Sequence, residues 1–198
     1  MQKKHTFKIH AILSASFLAT ASMAYAHGTN VPKMVSGTAT IKGLAQVIDG
    51  ASHASKMPVL FPTKIPAAKN PLHLYASFSS YISKPDFNQF WQINVGATPT
   101  CKGAHFCNVG YLSAQKDGKF EATFGGVIPN TNKQPKEPVT LKNGTVAYFT
   151  PGHAEGDFHP ATLEWVMNNV LYTLTWNAKE VNEKNVLTTM ANSALPKK

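Results

Sequence analysis

The sequence predicts an α+β domain: an antiparallel sheet of about six or seven strands, with a C-terminal helix and a weaker N-terminal helix packed on one face. Three observations predict it. From residue 72 onward apolar residues recur at every second position. Asn143-Gly144 and Asn168-Asn169 each separate two such alternating arms, the arrangement of a β-hairpin. The chain then closes on an apolar stripe at helical spacing.

The opening residues read as an export signal rather than as part of that domain. Lys3, Lys4 and Lys8 make a basic start, "AILSASFLATASMA" is apolar and uncharged, and Ala24 and Ala26 are the small residues that signal peptidase reads. Residues 1–26 are therefore expected to be removed, leaving 27–198 as a single domain with His27 at its N-terminus. The apolar run is shorter than the roughly 20 residues of a membrane span, and no later stretch approaches that length. The expected location is the periplasm or the medium.

The elements follow in order. Residues 27–37 read as a loose polar leader. "IKGLAQVIDGASHAS" has a weak helical period through Ile41, Leu44, Ala45 and Ile48, opposed by Gly43 and Gly50. In "MPVLFPTKIPAAKNP", Pro58, Pro62, Pro66 and Pro71 disfavour helix and central strand, so this stretch should run extended over the surface or a sheet edge. "LHLYASFS" places Leu72, Leu74, Ala76 and Phe78 on one side, and "QFWQINVG" does the same with Trp91, Ile93 and Val95. "CNVGYLSA" and "FEATFGGV" read as short strands. "PVTLKNGTVAYFT" and "TLEWVMNNVLYTLTW" are the two hairpins; the second carries Leu163 and Trp165 before its turn and Tyr172, Leu174 and Trp176 after it. In "EVNEKNVLTTMANSAL", Leu187, Met190, Ala191, Ala194 and Leu195 share a helical stripe, and the acids gather at the start, as the helix dipole favours.

The formal charge is +9, and every basic residue is Lys. Without Arg the chain lacks the planar forks that read phosphates and bases, which argues against a nucleic-acid partner. The two cysteines, Cys101 and Cys107 in "CKGAHFC", are expected to form a disulfide in an oxidising compartment. A catalytic dithiol favours two intervening residues beside a helix start, and here there are five.

"PVLFPTKIP", "CKGAHFC", "VTLKNGTVAYFTPG", "LEWVMNNVLYTL" and "LTTMANSAL" occur in that order. As a set, spanning roughly residues 57 to 195, they resemble a group of small exported bacterial proteins of uncharacterised function. The last part also resembles a C-terminal module of extracytoplasmic domains of some anti-sigma factors. The resemblance implies the fold above and an extracytoplasmic life, and it carries over no activity and no catalytic residue. It further implies a second Cys pair after "YFTPG"; this chain has "HAEGDFH" there instead, so its loop must be held another way.

That loop is the most suggestive chemistry in the chain. "PGHAEGDFHP" sets His153, Glu155, Asp157 and His159 at alternate positions. Extended, it would put His153 and His159 about 20 Å apart, whereas one metal ion needs its ligand atoms near 2 Å. A shared Zn²⁺ or Cu²⁺ site therefore requires the loop to curl; the plainer reading is a solvated connection between two strands. His27 offers a second option, since an N-terminal His presents its amine and imidazole to one Cu²⁺, with His73, His105, His153 or His159 to complete the site. Neither pattern is a calcium-loop or zinc-protease motif, and no cofactor is expected.

For catalysis no Gly-x-Ser-x-Gly elbow is present. Glu164 lies on the strand face opposite Leu163 and Trp165 and reads as solvent-facing. Phe90 and Trp91 must point to opposite faces, so one of the pair can mark a binding surface. The resulting expectation is an exported binding or structural protein, a monomer or weak dimer, whose partner is a protein or a small molecule. A Zn- or Cu-binding protein and a secreted hydrolase, whose carboxylates need no local motif, are the alternatives.

Overall fold

The computed structural model describes residues 32–55, 57–67, 73–79, 90–104, 106–118, 136–152, 160–177 and 182–196. Strand β1 (Met34–Ser36) leads into a single helical turn, α1 (Gly37–Thr40), whose Ala39 N–H is accepted by the Ser36 hydroxyl. A two-residue strand, β2 (Ile41–Lys42), precedes helix α2 (Leu44–Ser55). Then come β3 (Lys64–Pro66), β4 (Leu74–Ser79), β5 (Phe90–Gly96) and β6 (Asn108–Lys116). The hairpins follow as β7 (Glu137–Thr140) with β8 (Val146–Thr150), and β9 (Thr162–Met167) with β10 (Val170–Trp176). Helix α3 (Glu183–Ala194) ends the described chain.

Eight strands form one sheet in the order β2-β4-β5-β6-β10-β9-β8-β7, while β1 and β3 pair separately. The expectation of a purely antiparallel sheet of six or seven strands is thereby corrected. The sheet is larger and mixed, because Ile41–Lys42 lies parallel to Leu74–Tyr75. The chain leaves β2 through a helix before returning as its neighbour, and such a crossover delivers the strand parallel. Two residues are too few to show an alternating pattern, so β2 was invisible in the sequence. The leader is corrected in the same way: its last residues, Met34–Ser36, pair with Lys64–Pro66 of the proline-rich stretch. "FEATFGGV" lies outside the described residues, as does the expected signal peptide.

Both hairpins form where the turn residues fall. Asn168 and Asn169 take φ of 53° and 60°, the left-handed pair of a two-residue hairpin turn. Around Asn143-Gly144 the Leu141 N–H donates to the Thr145 carbonyl, leaving Lys142–Gly144 as a three-residue loop with Gly144 at φ 86°. The ladder's two borders are β2, two residues long, and β7, which carries Pro138.

The registers align side chains into rows across the sheet. On one face a row runs Trp91, Ala114, Tyr172, Trp165, Ala147, Val139, with Ala114 and Ala147 making room for the three large aromatic rings. The next row holds Ile93, Leu112, Leu174, Leu163 and Phe149. At the end of this face Gly110 sits opposite Trp176, and a Cβ there would stand 2.6 Å from the indole and 2.5 Å from the Thr175 carbonyl. Helix α2 buries Leu44 and Ala51 in the same core, and α3 buries Val186, Leu187, Met190 and Ala191, followed by Leu195. The expected stripe is therefore present, with Val186 added and Ala194 only half-buried. Both helices pack on this one face, as the sequence predicts.

Inside this layer Tyr172 stacks on Trp165 at 5.4 Å and meets Trp91 edge-on at 6.4 Å. The Tyr172 hydroxyl donates to the Pro58 carbonyl at 3.2 Å, tying the proline-rich stretch to the sheet. The indole N–H groups of Trp91 and Trp165 are buried without a hydrogen-bond partner. Aromatic packing must offset that cost.

Candidate functional site

Cys101 and Cys107 form the predicted disulfide, with Cα atoms 5.7 Å apart and both residues buried. The enclosed loop is braced by the Ala104 N–H to the Cys101 carbonyl and the Cys107 N–H to the Ala104 carbonyl. Phe106 projects from it, 93% exposed. His153, Glu155, Asp157, His159, His27 and His105 lie outside the described residues, and His73 is exposed before β4. Among the described residues no group of three or more His, Cys, Asp or Glu side chains gathers. No helix among them is long and apolar enough to cross a membrane.

The second face of the sheet is where polar chemistry concentrates. Because β-strand side chains alternate, the residues between the core positions all emerge there. One row reads Ser77, Asn94, Tyr111, Thr175, Thr162, Thr150. The next reads Gln92, Ser113, Thr173, Glu164, Tyr148. A third, less polar, holds Phe90, Gln115, Leu171 and Val166. Asn94, Ser113, Thr173 and Thr175 are buried, although α2 and α3 both pack on the other face. The short Ser113 and Thr173 side chains are flanked in their row by the longer Gln92 and Glu164, and along their strands by Tyr111, Gln115, Leu171 and Thr175.

Hydrogen bonds knit this face together. The Gln92 amide donates to Asn94 Oδ1 at 2.6 Å, and the Thr162 and Thr175 hydroxyls meet at 3.4 Å. Glu164 is on the predicted face, but its side chain is only 13% exposed, and Lys136 Nζ donates to its Oε2 at 2.8 Å. It is a held carboxylate rather than a solvent-facing one. Burial pushes the Tyr111 hydroxyl above the ordinary tyrosine range; the charge of Glu164 adds to this and a hydrogen bond with Thr175 opposes it. Tyr111 therefore stays neutral, able to donate and accept but not to serve as a base near neutral pH. Phe90, half-buried, is the partner of the Phe90–Trp91 pair that reaches this face.

An open cleft of about 460 Å³ lies at the end of the layer between α2 and the sheet. Met57, Pro58 and Val170 contribute its apolar lining, and Lys116 and Asp117 are charged and exposed. Its two charges are far less enclosed than Glu164, and no hydroxyl row converges on it.

Sequence reasoning marked Glu164 and missed Lys136, Tyr111, Ser113, Thr173 and Thr175. Their signal was present in the intervening positions of "GYLSAQ" and "LYTLTW", where uncharged polar residues recur instead of the Lys and Glu of an ordinary solvent face. Comparison with protein-family models, with curated proteins and with solved structures yields no match.

Proposed function

We propose that the protein is an exported, disulfide-containing binding protein whose ligand lies on the polar face of the sheet. One observation carries this reading. At the centre of the sheet, on the face opposite both helices, the short polar side chains of Asn94, Ser113, Thr173 and Thr175 are buried, and Thr173 lies beside a carboxylate, Glu164, that is already paired with Lys136. A purely structural outer face would favour exposed Lys and Glu, whose charges stay solvated at no desolvation cost. The disulfide fits life in an oxidising compartment.

The test is thermal unfolding of residues 27–198 against a panel of small metabolites, sugars, amino acids and inorganic ions. A ligand at a hundred times its Kd stabilises by about 2.7 kcal/mol. For a domain of this size that raises Tm by roughly 5–10 °C. We expect one class to do so, and the shift to shrink in Thr173→Val and Ser113→Ala. Shifts that these variants leave untouched would place the ligand elsewhere.

A further inference from the structure

We infer that the cleft between α2 and the sheet binds a short peptide, with an apolar side chain on the cleft floor and the two charged ends at its rim. The site is separate from the polar face and does not depend on that reading.

Position comes first. Lys116 and Val170 pair across β6 and β10 on the same face as Ala114 and Tyr172, so the cleft opens where the core face runs out. The turn through Asn168 and Asn169 supplies the next part of its rim. Gly118 already lies over the other face, where a Cβ would stand 2.7 Å from that of Leu171. The described chain after Asp117 therefore does not fill the cleft.

Floor and rim are both set before any ligand arrives. Met57 and Val170 are buried, and the Tyr172 hydroxyl donates to the Pro58 carbonyl at 3.2 Å, which holds residues 57–58 against the sheet. At the rim the Asp117 N–H donates to the Asn169 carbonyl at 2.6 Å, joining the two turns. A preformed site spares the ligand part of the ordering cost of binding.

The rim is chemically unspent. Lys116, Asp117, Asn168 and Asn169 are exposed, and among the described residues their side chains have no hydrogen-bond or ion-pair partner. Asp117, Asn168 and Asn169 take φ of 53°, 53° and 60°, backbone that glycine adopts without strain. Asn-Gly would make the stronger hairpin turn, so the second Asn keeps a carboxamide at the mouth at some cost to the turn.

A ligand that uses this rim carries both signs of charge. An ammonium group can meet Asp117 and a carboxylate Lys116, whereas a lone cation would face Lys116 and a lone anion Asp117. The two carboxamides donate and accept, as a peptide bond requires, and a free amino acid has no peptide bond to offer. The floor takes an apolar side chain, with the Met57 thioether able to adjust its shape to it. The volume of about 460 Å³ falls within the roughly 300–1,000 Å³ of small-ligand clefts.

Isothermal titration of the protein isolated from its host tests the assignment, with dileucine, its N-acetylated form, its C-terminal amide and free leucine as probes. Dileucine should bind most tightly, and each blocked form roughly fivefold more weakly, the worth of one exposed charge pair. Its Kd should rise between about 50 mM and about 500 mM NaCl, as that pair is screened. Lys116→Met should weaken dileucine by the same factor and leave the amide unchanged. Asp117→Asn, which keeps a residue type suited to the left-handed backbone, should do the same with respect to the acetylated peptide. Phe106→Ser, on the disulfide loop, should leave every Kd unaltered. Free leucine binding as tightly as dileucine overturns the peptide class. No binding, or binding indifferent to the blocked ends or to both rim substitutions, overturns the site.

Discussion

Tyr172 joins three parts of the molecule at one side chain: it stacks on Trp165, meets the edge of Trp91 and donates to the Pro58 carbonyl. Burial pushes its pKa up from 10.0 to about 12. A raised pKa means that the fold disfavours the phenolate, so this contribution to stability is complete below pH 10 and is lost as pH rises towards 12. At about 1.4 kcal/mol per unit the loss is on the order of 2 kcal/mol. Tyr172→Phe should cost about 1 kcal/mol at pH 8, through the missing hydrogen bond. Its disadvantage should shrink or reverse by pH 11.5, because lysine titration is common to both proteins. Urea midpoints at the two pH values check this; a constant difference would mean that the hydroxyl is solvated. At this scale the sequence spoke unevenly. The faces of Trp91, Trp165 and Glu164 followed from alternation alone. The partner of Glu164 did not, because Lys136 stands 28 residues away and only tertiary structure brings it near.

Among elements, the hairpins were the most legible. Their turns act locally, through left-handed backbone at Asn168, Asn169 and Gly144 that these residue types tolerate, so no distant contact decides them. Elements that depend on distant partners were not legible. β1 exists because Lys64–Pro66 lies beside it, and β2 because Leu74–Tyr75 does. The close approach of β6 and β10 at Gly110 was equally hidden, since its cause is the Trp176 indole across the ladder. Gly110→Ala would press a methyl group against that ring and the Thr175 carbonyl. Overpacking of this kind costs roughly 1–3 kcal/mol, which is a fall in Tm of several degrees. A change within about 0.5 kcal/mol, typical of a neutral surface site, would show that the strands can part there at little cost.

For the whole molecule, the disulfide and the N-terminus can be read together from the intact mass of the protein isolated from its own host. We expect a chain that begins at His27, lighter by the two hydrogens of the Cys101–Cys107 bridge and free of stoichiometric metal. A Zn²⁺ or Cu²⁺ adduct lost on His153→Ala, or on blocking the His27 amine, would instead assign metal chemistry to the 153–159 loop or the N-terminus. Replacing both cysteines by Ser should lower stability by roughly 2 kcal/mol, the chain-entropy value for so short a loop. The borders of the ladder bear on a different property, the tendency to polymerise. Fibre growth by strand addition needs a long bare rail of N–H and C=O groups. On one side β2 covers only Leu74–Tyr75 of β4, leaving Ala76–Ser79 without a ladder partner there among the described residues; the other border is four residues interrupted by Pro138, which has no N–H to offer. An incoming strand gains too few bonds at β7 to stay, so strand addition would have to begin on the β4 side.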